Sequence, residues 1–243
     1  MKRIKLDAID STNSFLKEMA HNSTLEDYTV VTANSQAKGK GQMGATWSSE
    51  SGKNLLCSVF VRFDDLSISD QVLINYAVSV AIIRVLESYM LPKLTIKWPN
   101  DILSSSQKIC GILVENVIQN AKVKSTVIGI GLNVNQIDFP NHLLKATSLK
   151  RILKNEIDLE ELLKKLINEL KLCVSDISSS KKNKLKSTYL EFLYKKNIPT
   201  MFRDSNDVLF MGIIVGVSPV GKLQIQLEDD SINEFGIKEV SIA

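Results

Sequence analysis

The chain has 243 residues, 44% hydrophobic and 23% charged, with a formal net charge of +3. That balance is ordinary for a globular protein and gives no case for a general nucleic-acid binder. Cys57, Cys110 and Cys173 are far apart, no CxxC pair exists and the two histidines are isolated, so neither a structural zinc site nor a disulfide framework is expected, and a reducing cytoplasm is the simplest home.

The amino terminus, MKRIKLDAIDSTN, lacks an apolar signal core. The longest apolar stretches are broken by Arg84 and Glu87, which predicts no membrane-spanning helix. Residues 2–8 read as a short strand. Asp10-Ser11-Thr12-Asn13 then offers several N-caps for a helix running to about His21. Tyr28–Thr32 (YTVVT) and the later run NLLCSVFVRF read as strands. Between them, Gly39, Gly41, Gly44 and Gly52 are packed among Lys38, Lys40, Gln42, Trp47 and Asn54. Glycines accept positive φ and let backbone N–H groups approach an anion, and the lysines add positive charge. The segment therefore suggests a cradle for a phosphorylated or carboxylated ligand; a plain connecting loop is the alternative. The spacing Gly39-x-Gly41-x-x-Gly44 also fits the dinucleotide fingerprint, but that site needs a helix after the loop, and a strand follows here.

Ser69 to about Leu91 has apolar residues at helical spacing. Leu94–Trp98 reads as a strand ended by Pro99. Lys108–Asn116 and Lys124–Val134 are two more strands joined by a polar turn. Asp158–Val174 is an amphipathic helix and Lys181–Lys195 another, with Ser178–Asn183 as a flexible connection. After Pro199 come short strands and turns, the pattern of a small β-barrel. The predicted class is α+β: a mixed, mostly antiparallel sheet flanked by helices, with a unit of residues 1–190 followed by a small β unit of residues 191–243.

Four polar clusters interrupt the apolar strand ends: Asp10–Asn13, the glycine loop, Lys97-Trp98-Pro99-Asn100-Asp101 and Gly129-Ile130-Gly131-Leu132-Asn133. Lys108 joins them from the start of an apolar strand. An adenylating enzyme needs such a set. A carboxylate must attack the α-phosphate of ATP, and lysines with backbone N–H groups offset the repulsion between the two anions. No side-chain nucleophile is required, in keeping with the lack of a Ser/His/Asp or Cys/His set.

The ordered motifs DSTN, QxxGKGxxGxxW, SxxGxNLxxS, KWPNDI, KxxGILVE and GIGLNVN resemble those of biotin protein ligases over about residues 8–150. The resemblance implies a class II synthetase-like biotin/lipoate ligase fold with an SH3-like C-terminal barrel. It implies a two-step reaction in which biotin and ATP give biotinyl-5′-AMP, and a lysine of a biotin carboxyl carrier domain then takes the biotin. By the same resemblance Lys108 and Asp101 are expected to take the catalytic roles. Ser11, Thr12, Asn13, Gln36, Gly39, Lys40, Gly41, Lys108, Gly111, Gly129 and Gly131 are expected to contact biotin. Lys40, Gln42, Trp47, Lys97, Asn100, Lys108 and Asn133 are expected to contact ATP. Mg²⁺ is carried mainly by the phosphates, with no protein metal site and no tightly bound prosthetic group. The expected partner is the carrier domain, with neither specific DNA binding nor a membrane, for a monomer or homodimer. Only ten residues precede Ser11, so no DNA-binding domain is expected there. A lipoate or octanoate ligase and a non-catalytic biotin-binding module are the alternatives.

One departure stands out. Many members carry arginines where this chain has Lys40, Gln42 and Ala45. Gln42 and Ala45 offer no charged fork and Lys40 no bidentate geometry, which predicts weaker retention of the adenylate, or compensation by Lys38 or another lysine.

Overall fold

The computed structural model describes residues 2–143 and 145–243. Strand β1 (Arg3–Ile9) runs into Ser11, whose hydroxyl accepts the Ser14 N–H at 3.4 Å and caps helix α1 (Thr12–Asn22). That helix returns the chain so that β2 (Val30–Gln36) lies parallel to β1, with Ile4 opposite Val31 and Ile9 opposite Gln36. A helical crossover is what a parallel pair requires.

After the glycine loop, β3 (Leu55–Ser67) pairs antiparallel with β2. Helix α2 (Val72–Glu87) follows a 3-10 turn at Ile68–Asp70 and is buried from Leu73 to Leu86 except at Asn75 and Arg84. The expectation that no stretch reaches spanning length needs correction. Ile68–Glu87 is long and apolar enough by length and composition, although here most of it is buried inside the fold, the setting in which a helix is apolar all round.

Strands β4 (Leu94–Lys97), β5 (Asp101–Ser104), β6 (Gln107–Gln119) and β7 (Lys122–Leu132) complete a seven-stranded sheet of order β1-β2-β3-β7-β6-β5-β4. Among the described pairs only β1–β2 is parallel. β5 was not expected from the sequence: its four residues follow directly on the polar turn at Trp98–Asn100, so no apolar run announces it.

Both faces of the sheet are covered, and strand alternation assigns the residues. Val30, Val59, Ile112, Ile128 and Ile130 join the large core with α2. Val31, Phe60 and Val127 form a smaller cluster with Leu16 of α1. Behind α2 pack α4 (Leu159–Ile177) and α5 (Lys182–Glu191), after the short α3 (Leu149–Leu153). The Asp158 carboxylate caps α4 by accepting the Glu160 and Glu161 N–H groups at 2.7 and 3.1 Å.

The expected second helix ends at Glu191, and the next residues form a strap. Ile96 N–H donates to Phe192 O at 2.7 Å, Tyr194 N–H to Ile96 O at 2.9 Å, and Asn197 N–H to Ile214 O at 2.9 Å. The strap covers the β4 edge and leads into β8 (Pro199–Asp204), β9 (Leu209–Val217), β10 (Leu223–Gln226), β11 (Ile232–Phe235) and β12 (Val240–Ile242). These form an antiparallel sheet of order β11-β10-β9-β8-β12. Phe202, Ile214, Val217, Leu223 and Ile225 belong to the same continuous buried cluster as α2, so one apolar core runs under both sheets.

Candidate active site

The floor of the site follows from strand alternation. On β6 and β7, Ile112, Ile128 and Ile130 turn toward α2. The alternate positions, Gly111, Gly129 and Gly131, turn to the other face. A Cβ on Gly111 would lie 2.7 Å from Trp47 Cζ3, one on Gly131 2.5 Å from Trp47 Cε2, and one on Gly129 2.4 Å from Asn13 Oδ1. Any side chain there would displace the indole or the amide. The three glycines therefore form a bare backbone floor on which Trp47 and Asn13 lie directly.

The glycine loop forms one wall. Gly41 N–H donates to Ala45 O at 2.7 Å and Trp47 N–H to Gly39 O at 2.9 Å, folding the loop on itself. Positive φ occurs at Met43, Gly44 and Gly52, at 51°, 80° and 69°. Gly39 is needed for close packing instead, since its Cβ would lie 2.4 Å from Trp47 O.

Loop and floor enclose a cavity of about 420 Å³, a usual size for a small-molecule site. Of the residues singled out from the sequence, Ser11, Thr12, Asn13, Gln36, Lys40, Gly41, Gln42, Trp47, Lys97, Asn100, Asp101, Lys108, Gly111, Gly129 and Gly131 all line it. Gly39 and Asn133 stand behind the wall. Gly39 supports Trp47, and buried Asn133 donates to Thr147 O at 3.0 Å. Ser11 both caps α1 and faces the cavity. Asn100 Nδ2 donates to Ile112 O at 2.7 Å, tying the turn before β5 to β6.

At the α1 end a buried polar chain runs through the wall. Gln36 Oε1 accepts from the Thr12 N–H at 2.8 Å and lies 3.1 Å from the Thr12 hydroxyl. The Ser58 hydroxyl lies 2.8 Å from Thr12 Oγ1 and 2.6 Å from Asn13 Oδ1. Ser58 has one proton and the amide oxygen can only accept, so Ser58 donates to Asn13. Asn13 Nδ2 donates to Glu115 Oε2 at 2.9 Å, and Lys17 Nζ to Glu115 Oε1 at 2.6 Å. Burial pushes the Glu115 carboxyl up, but the hydrogen bonds from Lys17 and Asn13 outweigh it and hold the group below its ordinary value. Glu115 thus anchors the Asn13 amide from the far side of the chain of hydrogen bonds.

At the other end Lys108 Nζ lies 2.7 Å from Asp101 Oδ1 and 5.4 Å from the centre of the Trp47 ring. Backbone bonds fix the start of β6: Lys108 N–H donates to Lys145 O at 2.6 Å, and Thr147 N–H donates to Lys108 O at 2.9 Å. Gln42 Oε1 and Trp47 Nε1 are buried with no hydrogen-bond partner among the described residues. Both belong to residues of the cavity wall, and such orphaned polar groups are what a bound ligand would satisfy. Lys38 is not on the wall; it pairs with Asp10 at 2.8 Å. Among the described residues Asp101 is the one carboxylate on the wall. Among the described residues no three His, Cys, Asp or Glu side chains gather as a possible metal site.

The sequence reading missed two parts. Ser58 sits mid-strand in an apolar run with no motif around it. The roof comes from the C-terminal sheet, including Phe202, Ile214, Leu223, Ile237, Lys238 and Ile242. Local periodicity gave no hint that those strands would meet the glycine loop.

Comparison with known proteins agrees with this geometry. A family model described as the biotin/lipoate A/B protein ligase family matches residues 6–133. The bifunctional ligase/repressor BirA of Bacillus spizizenii is 37% identical over 155 residues, 63% of this chain and 47% of its own length. The biotin–[acetyl-CoA-carboxylase] ligase of Mycobacterium tuberculosis is 33% identical over 129 residues, 52% of this chain and 47% of its own. The chain thus spans about half the length of these curated relatives. A solved biotin protein ligase from Aquifex aeolicus, in complex with biotin and ATP, is 26% identical with a TM-score of 0.77, covering 100% of this chain and 98% of that one. The matched family model covers more than half of the chain, and the chain belongs to the biotin/lipoate A/B protein ligase family.

Proposed function

We propose that this protein is an ATP-dependent biotin protein ligase, with residues 1–190 as the ligase unit. The observation that carries the reading is the Lys108–Asp101 pair at 2.7 Å in a cavity whose floor is bare backbone and whose wall holds two unpartnered polar groups. Support also comes from the names of the relatives and from the biotin and ATP bound to the Aquifex aeolicus protein.

In the first step a biotin carboxylate oxygen attacks the α-phosphorus of ATP. A carboxyl–phosphate bond forms, and the bond to the β-phosphate breaks to release pyrophosphate. Lys108, fixed by Asp101 and by its backbone bonds, offsets the charge that develops between carboxylate and phosphate. The Gln36–Thr12–Ser58–Asn13 chain offers neutral donors and acceptors to the polar ring of biotin. In the second step a lysine amine of a biotin carboxyl carrier domain attacks the mixed anhydride. An amide forms, AMP leaves, and the amine gives up its proton; Asp101 is placed to orient the amine. Holding the reactants side by side supplies much of the rate, and the glycine loop shields the anhydride from water. Asp101 is already paired, so a divalent ion would ride on the polyphosphate, where it would neutralise charge. The repressor role in the Bacillus relative's name is not part of this proposal.

The test is to mix the protein with biotin, ATP, magnesium and a purified carrier domain and weigh the acceptor. One added biotinyl group is expected. An unmodified acceptor, with no pyrophosphate released, would sink the proposal; release driven by lipoate rather than biotin would replace it with the lipoate reading.

A further inference from the structure

Four lysines face the cavity: Lys40, Lys97, Lys108 and Lys238. Lys108 is bound to Asp101, whereas the other three have no acidic partner within 4 Å among the described residues. Lys40 and Lys97 belong to motifs visible in the sequence. Lys238 belongs to none. It lies between β11 and β12 with a φ of 68°, in the left-handed region that a lysine seldom adopts. The turn is built to hold it there. Glu239 accepts the Gly236 N–H at 2.6 Å through its carboxylate and donates its own N–H to Gly236 O at 3.2 Å. From that position Lys238 Nζ crosses to the glycine loop and donates to Met43 O at 2.8 Å.

Met43 sits in the 3-10 turn Gln42–Gly44, the part of the loop that carries no cation: Gln42 is neutral, as is Ala45 just after it. Lys38 is held outside by Asp10. We propose that Lys238 is a binding residue for the polyphosphate of the nucleotide, supplied from the C-terminal sheet to the side of the cavity where the loop has no charge of its own. An ammonium has three protons, so it can keep the Met43 carbonyl and still donate to a phosphate oxygen. The contact would be charge-assisted and selective for the anionic co-substrate. This inference rests on the ATP-dependent reading above.

The test compares wild type with Lys238→Met and Lys238→Arg. Affinity for a non-hydrolysable ATP analogue is measured by calorimetry, and KM for ATP and for biotin is measured by pyrophosphate release. Lys238→Met should weaken analogue binding and raise KM for ATP about tenfold, the scale of one lost charged hydrogen bond. KM for biotin should stay within about twofold, and Lys238→Arg should retain most of the affinity. Lys238 is exposed, so the melting temperature should not move. ATP parameters unchanged in Lys238→Met would overturn the inference. An equal rise in both KM values would also overturn it, because it would mark a lysine that only fastens the loop. Wild-type protein that binds the analogue but never releases pyrophosphate with biotin would refute the proposed function and leave the calorimetric arm to judge Lys238.

Discussion

Replacing Gly129 with alanine should damage the site through Asn13 alone. The new methyl would lie 2.4 Å from Asn13 Oδ1 and 2.9 Å from its Cγ, so the amide must retreat by about 1 Å to reach ordinary contact. Asn13 is 3% exposed and is held in place by hydrogen bonds to two neighbours. Its bonds to Ser58 at 2.6 Å and Glu115 at 2.9 Å cannot survive such a shift. One is neutral and one reaches a carboxylate. Together they contribute about 2–4 kcal/mol, the bond to the carboxylate being the larger share. For a chain of this size that is a fall in melting temperature of roughly 4–12 °C. Thermal unfolding by circular dichroism measures it, and biotin titration should show weaker binding from the broken Thr12–Ser58–Asn13 chain. The decisive comparison is the Asn13→Ala background, where the added methyl meets no amide. There Gly129→Ala should cost less than about 1 kcal/mol. Equal costs in both backgrounds, or a melting temperature within a degree or two of wild type, would refute the reasoning.

Three further outcomes are expected. Lys108→Met should lower the rate of biotin-dependent pyrophosphate release by roughly 10²–10³-fold with little change in melting temperature; unchanged adenylation with only the transfer step impaired would contradict the assigned role. Glu160, hydrogen-bonded by Arg3, has its carboxyl held down to about 2. A depressed carboxyl contributes stability above its unfolded value, near 4.5, and loses it as pH falls toward 2. Since Glu160 is nearly half exposed, the contribution is screened to about 1 kcal/mol or less. Glu160→Gln should therefore shift the urea midpoint at pH 7 slightly and flatten its fall between pH 5 and about pH 2; an acid limb identical to wild type would argue against the pair. Burial pushes the Cys57 thiol up to about 12 and the Cys173 thiol up to about 11, and holds Cys110 well above its usual value. At pH 8 none of the three should react with a thiol reagent until urea is added, and one fast thiol in the folded protein would disprove that.

The elements carried by strong local patterns were legible in the sequence: the crossover α1, the apolar α2, the amphipathic α4 and the long strands β3, β6 and β7. β5 was not, because four residues after a polar turn carry too little pattern to stand out. Most of the named site residues reached one cavity because each lies in a polar cluster that interrupts an apolar strand. Ser58 escaped notice for the opposite reason. It is one small hydroxyl inside a buried strand, and only the placement of α1 gives it partners. No local pattern marks Lys238, since what matters about it is a turn conformation and a meeting between segments almost two hundred residues apart.

The chain contains two tryptophans, and both lie on the cavity wall. Their surroundings differ. The Trp47 indole lies across bare glycine backbone beneath Lys108, with its N–H unpartnered among the described residues. The Trp98 N–H donates to Gly221 O at 3.0 Å, at the junction with the C-terminal sheet. All of the protein's intrinsic indole emission therefore originates at this one site, without background from the rest of the fold. A Trp47→Phe variant would leave an emission belonging to the junction between the two sheets, and a Trp98→Phe variant one belonging to the floor. The fold thus carries its own pair of optical probes, one for what binds on the floor and one for how the small sheet closes over it.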